Sequence, residues 1–215
     1  MEKSKVLIML DMGHGFNTPG KSSAVFDDGK TQLKEYAYVR AIGYEVYNKL
    51  ISEGYRCYIV HPEVEEITSQ SYDLNLRVQR ANKKYLEEKA KGNKAIFISI
   101  HVNAAGNGSW MNAQGWSVYT SKGQTSADKL ATCIYEVAES KLKPLGKKLR
   151  PDNSDGDPDQ EANYYVLSKT ACPACLTENM FMDNKEDATW LLSNEGRNII
   201  TDIHVEGIKK YIASL

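Results

Sequence analysis

The sequence predicts an α/β sandwich: a single domain in which a mostly parallel, twisted sheet of about six strands is flanked by helices. Three observations carry this. Residues 6–10 and 95–100 are short apolar runs that do not alternate with polar residues, as in strands covered on both faces. Such runs take turns with stretches of helical spacing. The first and third strands also end in loops of small residues, around Gly13–His14–Gly15 and over 103–107, as strand-to-helix junctions of a parallel sheet do. A length of 215 residues suits one domain, and no repeat or linker divides it, so residues 1–215 read as one unit without a separate binding module.

Each element has its own signal. Residues 5–10 form the first strand. Over 33–52, Tyr36, Val39, Ile42, Val46 and Leu50 recur at steps of three and four, with Glu35 in the first turn and Gly54 as the stop. A second buried strand covers 55–60. Helical spacing returns over 74–90 through Leu76, Val78, Ala81, Tyr85 and Leu86, and the third strand covers 95–102. A fourth, more exposed strand is predicted over 115–120. The helix over 127–142 is closed by Pro144 and Gly146. Residues 150–163, rich in acids and prolines, read as a long surface loop. Strands are predicted over 164–168 and 174–177, then helices over 186–193 and 195–213.

Composition excludes several classes of function. The formal net charge is −1, with both signs spread along the chain, so there is no electrostatic footprint for nucleic acid or an anionic membrane. No apolar run approaches the ~18 residues of a membrane span, and no secretory signal is visible. The 4 cysteines are too sparse for a disulfide scaffold and are expected to be reduced. Cys172 and Cys175 have redox-motif spacing, but a strand follows them where a helix N-terminus would be needed to activate a thiol, so buried thiols are expected. In the acidic stretch, Gln160 stands where a calcium loop of the EF-hand kind needs glycine.

The candidate chemistry sits at strand ends. His14 follows the first strand in Asp11–Met12–Gly13–His14–Gly15, and His101 follows the third in the same way, so a parallel sheet brings both to one edge. The pattern lacks the spacing of either glycine-rich phosphate-binding motif. Of the 4 histidines, His61 fits a solvent loop beside Pro62, Glu63, Glu65 and Glu66, and His204 fits helix packing. A catalytic zinc site wants three protein ligands and an open position. Glu35 and Glu178 are the two carboxylates placed to complete a His-Glu-His set, and the residues alone leave open which of them binds metal.

The ordered set Asp11–Met12–Gly13–His14–Gly15, Leu33–Lys34–Glu35, Ser99–Ile100–His101–Val102–Asn103–Ala104 and Pro173–Ala174–Cys175–Leu176–Thr177–Glu178–Asn179 resembles the zinc-dependent N-acetylmuramoyl-L-alanine amidases of autolysins and phage endolysins. The likeness extends to Tyr165–Val166–Leu167 and to Asn184–Lys185–Glu186–Asp187–Ala188, and so over almost the whole chain. It implies one zinc ion per chain on His14, Glu35 and His101, with Glu178 as the catalytic glutamate. The bond cut would join the lactyl group of N-acetylmuramic acid to L-alanine of the peptidoglycan stem peptide. Phe16, where the family more often has glycine, and Glu178–Asn179–Met180–Phe181, where it has Glu-Gly-Phe-like sequences, are departures that bear on substrate preference. Asn103, Trp110 and Trp116, close behind His101, are candidate substrate contacts, with packing as the alternative for the tryptophans. A monomer is expected, acting on the cell wall either as an endolysin released from the cytoplasm or as an autolysin whose signal is absent here. The competing readings are a zinc peptidase or amidase on another amide, and a non-catalytic wall-binding protein on the same fold.

Overall fold

A computed structural model of the chain describes residues 2–61, 69–106 and 108–215. Six strands form one sheet in the order β2-β1-β3-β6-β4-β5. They are β1 (Val6–Met12), β2 (Arg56–Ile59), β3 (Lys94–Asn103), β4 (Ser117–Thr120), β5 (Gln160–Glu161) and β6 (Ala174–Phe181). β1 pairs in parallel with β2 and β3, and β3 with β6. β4 runs antiparallel to β6, and the two-residue β5 is parallel to β4. The helices are α1 (Glu35–Ser52), α2 (Gln70–Ala90), α3 (Asp128–Leu142), α4 (Tyr165–Ser168), α5 (Lys185–Leu192) and α6 (Asn194–Ala213).

The unbroken apolar runs follow from burial on both sides. In β1, Val6, Ile8, Leu10 and Met12 face a core shared with α1, α3 and α6, while Leu7 and Met9 face a second core with residues of α2 and α4. β3 divides in the same way: Ile96, Ile98, Ile100 and Val102 join the first core, and Ala95 and Phe97 the second. This alternation sets up the site. Continuing the pleat toward the C-terminal ends, the next residues on the α2/α4 side are Asp11 in β1, Ser99 and His101 in β3, and Glu178 in β6.

Two expectations need correction. Residues 164–168 are not a strand. Tyr165–Ser168 make one helical turn, with the Tyr164 carbonyl accepting from Leu167 N at 3.0 Å and Ser168 N at 2.9 Å. So short an apolar run has no period to separate strand from helix, and here Val166 and Leu167 pack into the second core from outside the sheet. The loop predicted over 150–163 contains β5, because Gln160 and Glu161 pair with Tyr119 and Thr120. Cys172 and Cys175 are buried free thiols, as expected, and burial pushes the Cys172 thiol up to about 12. Among the described residues no helix is long and apolar enough to cross a membrane.

Candidate metal centre and cleft

The turn after β1 is shaped by close packing. Gly13 N donates to Ile100 O at 3.0 Å, tying the turn to β3. A Cβ on Gly13 would lie 2.3 Å from His101 Cε1, so only glycine lets the turn pass under that imidazole. His14 itself adopts φ 59, a left-handed conformation that costs a non-glycine residue about 1–2 kcal/mol. Glu35 reaches the same place from the first residue of α1, its own N–H held by Lys21 O at 3.0 Å.

These three side chains converge. His101 Nδ1 lies 3.1 Å from Glu35 Oε1, and His14 Nε2 lies 3.3 Å from Glu35 Oε2. The two rings stand edge to face with centroids 4.8 Å apart. One donor atom from each of His14, Glu35 and His101 falls within 4.8 Å of the others, close enough to bind one ion. Glu35 Oε1 also accepts from Val102 N at 2.9 Å, whereas its Oε2 is buried and accepts no hydrogen bond. A buried carboxylate oxygen left without a donor and flanked by two imidazoles fits a cation, and the donor set of two nitrogens and one oxygen suits zinc.

The electrostatics agree. Burial lowers the pKa of His14 below its ordinary value, which keeps the imidazole lone pair available. Burial acting alone would raise the Glu35 carboxyl, but the close contacts with the imidazoles of His101 and His14 outweigh it and hold the group well below the usual carboxylate range. At His101, burial opposes a proton, and the hydrogen bond and charge of Glu35, followed by the charges of Glu178 and Asp11, overcome it. Glu178 sits opposite His101 in the β3–β6 register. Burial pushes its carboxyl up to about 7, against the pull of His101, and its Oε2 has no hydrogen-bond partner.

β6 carries a bulge at this point. His101 pairs with Glu178 but Asn103 pairs with Phe181, so β6 holds one extra residue, and Met180 takes φ 65. Asn179 locks the bulge: its Nδ2 donates to His101 O at 2.9 Å and to Thr177 Oγ1 at 3.1 Å, and its Oδ1 accepts from Trp116 Nε1 at 2.8 Å.

A cleft of about 710 Å³ opens over this edge on the α2/α4 side, and His14, His101 and Glu178 line it. Its walls include Lys21, Leu74, Tyr164 and Tyr165. Asn103, Trp110 and Trp116 are not among the lining residues. Asn103 Oδ1 caps Ala104 N at 2.8 Å, and Trp110 packs against Phe26. Trp116 is fully buried in the first core, which corrects its reading as a substrate contact in favour of packing. His61 is a second correction. It is buried between Arg40 and Asp73 rather than set in solvent, and Pro62, Glu63, Glu65 and Glu66 lie outside the described residues. His204 does pack inside α6, donating through Nδ1 to Ile200 O at 2.7 Å, with Nε2 2.9 Å from Thr177 Oγ1. Sequence reasoning missed Arg77, Tyr164 and Tyr165. For Arg77 the available signal was an i,i+4 acid–base pair with Asp73 on a helix face that also carries Val78 and Ala81.

Fold and site together define a class: an α/β domain that presents a cluster of two histidines and one carboxylate able to hold a metal ion, and a protonatable carboxylate, at the C-terminal edge of its parallel strands. Residues 8–210 match the family model described as N-acetylmuramoyl-L-alanine amidase, and the chain belongs to that family. It is 29% identical over 209 residues to an endolysin of Bacillus phage SPP1, covering 96% of this chain and 66% of that protein. It is 27% identical over 210 residues to the N-acetylmuramoyl-L-alanine amidase CwlM of Bacillus licheniformis, covering 95% and 68%. The chain thus spans about two thirds of the length of these relatives. Among solved structures, N-acetylmuramoyl-L-alanine amidase AmiC2 of Nostoc punctiforme superposes with a TM-score of 0.71 at 25% identity over 98% of both chains.

Proposed function

We propose that this protein is a zinc-dependent N-acetylmuramoyl-L-alanine amidase that cuts the amide between the lactyl group of N-acetylmuramic acid and L-alanine of the peptidoglycan stem peptide, and so degrades the cell wall. Residues 1–215 act as one catalytic unit and as a monomer. One observation carries the reading: His14, Glu35 and His101, from three separate elements, form a cradle within 4.8 Å, and Glu178 stands in register beside His101. Family membership supplies the substrate class.

His14, Glu35 and His101 would hold the zinc ion, with Glu35 as the carboxylate ligand and Glu178 outside the set. When bound, zinc supplies Lewis acidity for the scissile carbonyl and acidifies water at neutral pH. Glu178, partly buried at the cleft and with its pKa pushed up to about 7, is matched to proton transfer in both directions near neutrality. It takes the proton from the attacking water as the oxygen adds to the lactyl carbonyl carbon, then delivers it to the alanine nitrogen as the C–N bond breaks. Tyr164 and Tyr165, about two-fifths exposed on the cleft wall, offer rings against sugar or peptide.

The test pairs metal analysis with product chemistry on purified peptidoglycan. One zinc per chain and newly released N-terminal alanine are the expected results. Another new amine terminus would point to a different amidase or peptidase. An inert protein without zinc would leave a wall-binding role.

A further inference from the structure

Behind the turn that carries His14 lies a closed ring of buried charge that the chemistry above does not use. Arg77, 1% exposed on α2, donates from Nη1 to Asp11 Oδ1 and Met12 O, both at 2.7 Å, and from Nε to Asp73 Oδ2 at 2.8 Å. Its Nη2 reaches His14 O at 3.2 Å. Arg40, 6% exposed on α1, donates from Nη1 to the same carbonyl at 3.0 Å. Its Nη2 lies 3.3 Å from His61 Nδ1, and His61 Nε2 lies 3.2 Å from Asp73 Oδ1, which closes the circuit. Asp11 is braced from the other side by Ser99 Oγ at 2.7 Å.

The ring has one pivot. Two guanidinium groups from two different helices share the single carbonyl of His14, whose two lone pairs are both taken. That residue is the one in the turn held in a left-handed conformation, and its imidazole points to Glu35. Apart from Met180 in the β6 bulge, the other described residues with positive φ are glycines; here a histidine of the cradle occupies the strained position, and an outside grip holds it there. Arginine suits the task because its planar fork spans several acceptors at once, which a lysine ammonium does not.

We infer that Arg40 and Arg77 are positioning residues for the metal cradle: by gripping the His14 carbonyl from α1 and α2 they fix its turn and aim its imidazole at Glu35 and His101. The inference rests on the proposed zinc site only in what the cradle holds. A network that served stability alone would change unfolding and leave the affinity of the folded protein for metal untouched.

The test is zinc affinity by chelator competition, measured on the wild type and on Arg40→Met, Arg40→Lys and Arg77→Met at a temperature where circular dichroism shows each folded. Groups that orient ligands from behind typically cost 10- to 100-fold in metal affinity when removed. Arg40→Met is expected to weaken zinc about 10-fold and Arg77→Met up to about 100-fold, with Arg40→Lys failing to rescue. The visible spectrum of the cobalt-substituted variants should change as well, because the geometry around His14 relaxes. Should Arg77→Met not fold, the two Arg40 variants decide, and Arg40→Lys is conservative enough to remain folded. A folded Arg40 variant that binds zinc as tightly as wild type, with an unchanged cobalt spectrum, overturns the inference and leaves the amidase reading intact. A wild type that binds no zinc overturns both.

Discussion

The two faces of the sheet bury similar side chains along most of its length and part company at the C-terminal ends of the strands. On the α1/α3/α6 side the polar side chains that the strands present near that end, Thr177 and Asn179, are few and hydrogen-bonded. His204, fully buried, is bonded through both ring nitrogens to neutral partners, and Thr177 and Asn179 complete the chain. On the α2/α4 side the same pleat delivers Asp11, Ser99, His101 and Glu178, and one buried oxygen each of Glu35 and Glu178 is left without a hydrogen bond. Two histidines, one fully buried and one partly buried, show the contrast. Burial pushes His204 down to about 4, whereas at His101 nearby carboxylates override burial and raise the pKa. Neutral, saturated partners make a histidine structural. Carboxylates with unused lone pairs suit the same residue to a cation site.

The sharpest way to separate the faces is to strip one of its chemistry. Glu178→Gln is expected to cut kcat by about a thousandfold or more, within the range for loss of a general acid–base, while zinc stays bound and the melting temperature is little changed. Steady-state kinetics with metal analysis checks this; retained turnover would remove Glu178 from the mechanism. Trp116→Ala strikes the other face. It opens a cavity in the first core and orphans Asn179 Oδ1, so denaturant unfolding should show a loss of about 3–5 kcal/mol. Trp110→Ala, at the rim against Phe26, should cost clearly less.

His204 predicts how the structural face responds to pH. Its folded pKa of about 4 lies below the ordinary 6.5, so the unfolded chain takes up the proton first. The stabilisation is complete above pH 6.5 and is lost as pH falls toward 4, by about 3 kcal/mol in all. His204→Gln, which can still donate and accept, should flatten that slope in urea titrations between these pH values. An unchanged slope would assign the acid sensitivity to other groups. The smallest effect belongs to the surface pair Lys49–Asp202, which joins α1 to α6 at 2.9 Å with both side chains more than a third exposed. Breaking it should cost under about 1 kcal/mol and less still in high salt, by comparison of thermal melts.

Much of this was legible in the sequence because it is local. Burial on both faces writes a continuous apolar run, so β1 and β3 were readable, and helical spacing located α1, α3 and α6. Parallel pairing of two strands that each end in histidine brought His14 and His101 to one edge without any coordinates, and the ordered motifs added Glu35 and Glu178. Where local pattern is silent, the reading failed. Residues 165–168 carry too few residues to show a period. Trp116 and His61 were misplaced because exposure depends on what packs over a side chain, and Asn179, Arg40 and Asp73 come from distant parts of the chain. Arg77 meets Asp11 across a separation of 66 residues, and no spacing rule encodes that contact. The sequence by itself determined the fold class, the edge of the sheet where chemistry belongs, and the residue types that could perform it. Only the tertiary structure decided which buried charges close around the His14 carbonyl and which carboxylate oxygens stay free, because satisfaction of a buried polar group is a property of its neighbours in space and not of its own segment.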